Sequence, residues 1–100
     1  MEREFGQGTM NVEQEVIDQL CDDPSGWTMA RIAKFIHDLG RVDVWELLES
    51  MWRAGHLEYF EESGTKCSTW EIEAHFRSPR VSVSWRVRAT DSGVKWALGE

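Results

Sequence analysis

Apolar positions in this chain change their period near residue 57, from roughly 3.6 to 2, which separates a helical half from a sheet half. Val12, Val16, Ile17 and Leu20, extended by Cys21, recur at helical spacing behind Asn11. Asn11 with Gln14 has the spacing of a capping box, so a first helix starts here. Asp22-Asp23-Pro24-Ser25-Gly26 ends it, because proline and glycine do not continue the hydrogen-bond ladder. Trp27 leads into a second helix capped by Thr28, with Met29, Ile32, Ala33, Ile36 and Leu39 inward and Arg31, Lys34 and Asp38 outward. Gly40 supplies the left-handed turn that follows. Asp43 is expected to cap a third helix with Glu46 at the third position, Val44, Leu47, Leu48 and Met51 facing the core, and Gly55 as the stop.

Beyond residue 57, Leu57 and Tyr59 alternate with Glu58 and Phe60. Trp70, Ile72, Ala74 and Phe76 alternate with Glu71, Glu73 and His75, and Val81, Val83, Trp85, Val87 and Ala89 alternate with Ser82, Ser84, Arg86 and Arg88. One apolar and one polar face predict antiparallel strands packed on the helices, with Arg77-Ser78-Pro79-Arg80 as a hairpin tip. A short last helix from about Ser92 to Leu98, capped by Asp91, turns Val94 and Leu98 inward. The pattern predicts an α+β domain over residues 11–98, behind a flexible leader at 1–10 that holds Gly6 and Gly8 without periodicity.

One hundred residues, 41% of them hydrophobic, fit one compact domain. No apolar run approaches the roughly 18–20 residues that span a bilayer, and Met1-Glu2-Arg3-Glu4 lacks a secretion-signal core, so no membrane association and a cytoplasmic location are expected. Cys21 falls on the apolar side of the first helix and Cys67 in a polar turn, with nothing that favours a disulfide. The net charge of -7 is uneven. Residues 1–62 hold 14 acids and 5 bases, net -9, whereas residues 63–100 hold 4 acids and 6 bases, net +2. Two faces with different partners, or a homodimer that joins the acidic half of one copy to the basic half of another, both follow from that asymmetry.

Three helices followed by an antiparallel wing is the order of a winged helix-turn-helix domain, and the segment from Thr28 to Leu57 resembles helix 2, turn, helix 3 and wing start of that superfamily. Arg88-Ala89-Thr90-Asp91-Ser92-Gly93 resembles the step at which many bacterial winged-helix regulators leave the wing for a terminal helix. The resemblance covers most of residues 11–98 and implies a three-helix bundle, a β-sheet wing and a short C-terminal helix. The chain departs from it between Ser63 and Ser84, where the wing is enlarged. Winged helices resemble both DNA readers and protein-docking modules, so function rests on particular residues.

A reading helix presents its N-terminal part to the major groove. Here that part carries Asp43, Glu46 and Glu49. Each carboxylate within about 4 Å of a phosphate costs roughly 1–4 kcal/mol, against the roughly 4–10 kcal/mol that separates specific from non-specific binding. Arg77, Arg80, Arg86, Arg88 and Lys95 form the basic surface of the wing, either gripping nucleic acid or pairing with Glu71 and Glu73 across strands. Six tryptophans are mostly core, but Trp45 and Trp52 lie seven residues apart at the margin of the third helix. With Glu46, Glu49 and Arg53 they have the composition of a protein-docking face.

His37, His56 and His75 show no metal-ligand spacing with the cysteines, and neither a nucleophile motif nor a phosphate-cradling loop is present. The expectation is a non-catalytic module, without metal or cofactor, that binds a protein partner or itself. The alternative is a transcriptional regulator contacting DNA through the basic wing.

Overall fold

A computed structural model describes residues 11–80 and 83–99 of the chain; the expected leader at residues 1–10 lies outside the described residues. Asn11 accepts from the Gln14 amide at 2.9 Å and its own amide donates to the Gln14 side chain at 3.2 Å, so the expected capping box starts α1, Val12–Cys21. A two-residue strand β1, Trp27–Thr28, leads directly into α2, Met29–Asp38, whose Arg31 amide donates to the Thr28 hydroxyl. Gly40 takes φ 94° in the turn, a left-handed conformation that a side chain would strain. α3 spans Val44–Arg53 and β2 spans Leu57–Phe60. Then follow α4, Thr69–Arg77, β3, Arg86–Ala89, and α5, Asp91–Ala97.

The fold is α+β: among the described residues there are five helices and one three-stranded antiparallel sheet in the order β1-β3-β2. Register places Trp27 and Tyr59 on either side of Val87, and all three side chains are buried. They meet Val16, Ile17 and Leu20 of α1, Met29, Ile32 and Ile36 of α2, and Leu47, Leu48 and Met51 of α3 in one core. Each fully buried aliphatic side chain stabilises by roughly 1.5–3 kcal/mol, an upper figure because the unfolded chain is already partly collapsed.

The strand expected at Trp70–Phe76 is a helix. Ser68 and Glu71 form a capping box, in which the Ser68 amide donates to the Glu71 carboxylate at 3.0 Å and the Glu71 amide donates to the Ser68 hydroxyl at 3.4 Å. Ile72, His75 and Phe76 then face inward at helical spacing, while Trp70, expected in the core, is 71% exposed. The hairpin tip expected at Arg77-Ser78-Pro79-Arg80 is therefore the end of α4. The third strand is confined to Arg86–Ala89, and the Val81 and Ser82 part of that expectation lies outside the described residues.

Five smaller expectations are also corrected. Cys21 is exposed, because α1 turns it away from the Val16, Ile17 and Leu20 stripe. Cys67 is buried, drawn in where its amide donates to the Tyr59 carbonyl at 2.9 Å. Asp43 makes no capping hydrogen bond; its carboxylate is gripped by Arg41 through two bonds of 2.7 and 2.6 Å. Thr90, not Asp91, caps α5, with its hydroxyl accepting from the Gly93 amide and donating to the Gly55 carbonyl, and Leu98 stays exposed beyond that helix. Gly93 lies against the His56 carbonyl, where a Cβ would collide with backbone.

Candidate functional site

α3 brings the five expected docking residues to one outer side, and the structure changes what they offer. Trp45 and Trp52 are half-buried under α4: Trp45 meets the His75 ring edge-on at 5.5 Å between centroids, and Trp52 lies 6.1 Å from the Phe76 ring. The chain itself covers the tryptophan pair. Arg53 is held by Glu49 at 2.9 Å and approached by Glu73 of α4 at 3.6 Å. Glu46 is exposed and, among the described residues, makes no ion pair. The Arg41 guanidinium holds the Asp43 carboxyl below its ordinary range.

The anionic edge expected on α3 is thus milder than three bare carboxylates. Asp43 and Glu49 are compensated by Arg41 and Arg53, leaving Glu46. Those arginines are equally occupied, so among the described residues the outer side of α3 offers no unpaired base to a phosphate.

The cations expected on a wing are dispersed over α4 and the residues after it, β3 and α5. Arg86 donates to the Gly26 carbonyl at 3.0 Å and Arg88 to the Pro24 carbonyl at 3.2 Å, which ties β3 to the loop after α1. Arg88 stands opposite Glu58 in the sheet, 3.9 Å from its carboxylate, and over the Phe60 ring at 4.1 Å. The expected pairing with Glu71 and Glu73 does not form, because α4 engages Glu71 at its cap and turns Glu73 to Arg53. Arg77 ends α4, Arg80 follows it, and Lys95 sits apart on α5. Arg77 and Arg80 are exposed without an ion pair among the described residues.

Between α4 and residues 83–85 lies a groove of about 380 Å³, lined by Trp70, Ala74, His75, Arg80, Val83 and Trp85, with Glu71 and Ser78 at its edge. His75 is only 7% exposed, set among Trp45, Phe76 and Trp85 with ring centroids 5.3–5.5 Å away. Burial holds its pKa below the ordinary value of 6.5. Its Nε2 has no hydrogen-bond partner among the described residues. Period-two alternation hid this site, since it put His75 on a polar strand face and Trp70 in the core. The Ser68-to-Glu71 spacing was the available signal for the helix.

Both cysteines are free. Burial, helped by Glu71 and Glu61, pushes the Cys67 thiol up to about 12, and desolvation with Asp18 and Asp22 raises Cys21. Neither is a ready nucleophile. Among the described residues no three His, Cys, Asp or Glu side chains converge on a cation-sized space, and no helix is long and apolar enough to cross a membrane. Neither family models, nor curated proteins, nor solved structures give a match to this chain.

Proposed function

We propose that the chain is a non-catalytic winged-helix interaction module that binds a protein partner through the outer side of α3 and the enlarged wing. The winged-helix part of this reading is supported by element order, with α2 and α3 joined by a short turn, and by a three-stranded sheet whose last strand, β3, pairs with both others. The docking part is carried by one observation: α4 packs on the flank of α3, burying most of Trp45 and Trp52 and presenting Trp70 in their place. An exposed tryptophan beside arginines that are unpaired among the described residues has the composition of an interface hot spot. Two free thiols, one buried, fit a reducing compartment such as the cytoplasm.

Duplex contact through the wing has less support. Arg86 and Arg88 would have to release backbone carbonyls before meeting phosphates, and Arg77 with Arg80 leaves only two neighbouring cations. A photoreactive residue at Ser50 or Arg77, with Lys34 on α2 as control, tests the reading in the native host. Protease-sensitive adducts from the first two positions and not from the third are expected. Adducts removed by nuclease alone, or protein adducts equally from Lys34, would overturn it.

A further inference from the structure

β2 anchors both ends of the stretch that carries α4. On one edge Phe60 bridges to Lys66, and the Tyr59 carbonyl accepts from the Cys67 amide at 2.9 Å. On the other edge Tyr59 and Phe60 stand opposite Val87 and Arg86 of β3. The chain therefore leaves β2 at Cys67 and returns to it at Arg86, with α4 on the excursion between. The backbone bonds of α4 are local: the Ser68 and Glu71 cap, the Ile72 amide on the Ser68 carbonyl, and the Ser78 amide on the His75 carbonyl. Among the described residues α4 adds no bond to the sheet, so the helix can leave α3 without breaking a strand pair.

Side chains alone hold α4 down. Ile72 and His75 are buried, and Phe76 packs beside Trp52 and Tyr59. The ion pair of Glu73 with Arg53, at 3.6 Å, is exposed to water and adds little. His75 is the weak point of this seal. Its ring lies among Trp45 of α3, Phe76 and Trp85, and its buried Nε2 has no partner among the described residues. An imidazolium carries a proton on both nitrogens, so an N–H at Nε2 would face aromatic walls where it finds no acceptor. Aromatic faces attract a cation far less than water does. The charged groups on the elements around the ring are Glu71 and Arg77 of α4, Glu46 and Glu49 of α3, and Arg80 before β3. Glu71 is engaged by Ser68 and Glu49 by Arg53, and none of the five pairs with the ring among the described residues.

We propose that α4 is a proton-released cover: charging His75 lifts α4 off α3 and uncovers Trp45 and Trp52, while the sheet and the first three helices stay folded. This step needs no partner, so it stands apart from the docking reading above. Lifting α4 puts the ring in water, where it protonates near 6.5, whereas burial holds it lower in the covered form. The lifted form then binds more protons below 6.5 and gains population by up to about tenfold per pH unit, until the covered form also protonates. The Glu71 carboxyl, held below its ordinary range by its bonds to Ser68, stays ionised in that window and keeps the cap intact.

Amide hydrogen exchange of the full chain, compared between α4 and α2 and corrected for the intrinsic pH dependence of exchange, tests this between about pH 7.5 and 5.5. The α4 amides should exchange faster than those of α2 at every pH and stay insensitive to urea below about 1 M, because lifting one helix exposes little surface. Their protection should fall by up to about tenfold across that range, and His75→Phe should abolish the fall. His75→Gln, which also lacks the titrating ring, gives the same flat profile and serves if the phenylalanine variant does not fold. The proposal fails if α4 and α2 exchange at one common rate, which would leave only global unfolding. It also fails if α4 protection is constant across the range, or if the variants keep the fall.

Discussion

His75 holds an imidazole that water scarcely reaches, with aromatic rings on three sides and burial as the cause of its lowered pKa. The unfolded chain takes up a proton near the ordinary value of 6.5, whereas the folded chain resists until a lower pH. Between those two values the unfolded state binds more protons, so stability rises with pH and is lost as pH falls through the window. The carboxylates with lowered values, Asp23, Asp38, Asp43 and Glu71, titrate below it and contribute their own loss only in more acid solution. The urea midpoint should therefore drop between about pH 7.5 and 5.5, and His75→Gln should flatten that slope whatever it does to the midpoint itself. An identical slope in the variant would show that the ring is hydrated. Tyr59 poses a related cost, since its buried hydroxyl also has no partner among the described residues; an unsatisfied group of this kind costs about 1–3 kcal/mol.

α4 is the element on which the site depends, and its start is a reciprocal pair of hydrogen bonds between Ser68 and Glu71. Ser68→Ala removes the hydroxyl that receives the Glu71 amide and should lower stability by about 0.5–2 kcal/mol. Because α4 covers Trp45 and Trp52, the same variant should shift tryptophan emission to the red before global unfolding, as the helix loosens. A loss near zero with unchanged emission would mean that residues 69–77 do not depend on a helix cap. The same pair explains what was legible in the sequence. Asn11 with Gln14, Thr28, and the spacing of Ile32, Ile36, Leu47, Leu48 and Met51 mark three helices, because cap and period agree. At Trp70, Ile72, Ala74 and Phe76 the apolar residues fit period two, yet Ile72, His75 and Phe76 fit the helix as well. Tertiary packing decides between them: a helix buries Ile72 and His75 under α3, whereas a strand would have buried Trp70. Asp43 misleads for a different reason, since a neighbouring Arg41 outcompetes the helix amides for its carboxylate. The groove was illegible because it exists only once residues 69–77 are helical.

Across the whole molecule, a radius of gyration of 13.6 Å lies near the roughly 13 Å of a compact chain of this length, so the acidic and basic residues share one small body. In a body of that size the basic residues are not carried far from the acidic ones, so a duplex approaching α3 meets the field of both. The net charge of -7 then opposes any polyanion at long range, and no unpaired base on the outer side of α3 offsets it among the described residues. Duplex DNA should show no measurable binding to the parent chain at about 50 mM salt, where phosphate contacts are at their strongest. Glu46→Lys with Glu49→Lys changes the charge by 2 at each position, from -7 to -3, and releases Arg53 from its shorter ion pair. That double variant should acquire weak duplex binding, with a Kd of roughly 10⁻⁴–10⁻⁶ M, that fades by about 200 mM salt. The decisive comparison is between the two proteins at low salt. Parent chain that binds duplex as tightly as the variant would show that the carboxylates of α3 never face the phosphates, and the case for a protein partner would lose its electrostatic half.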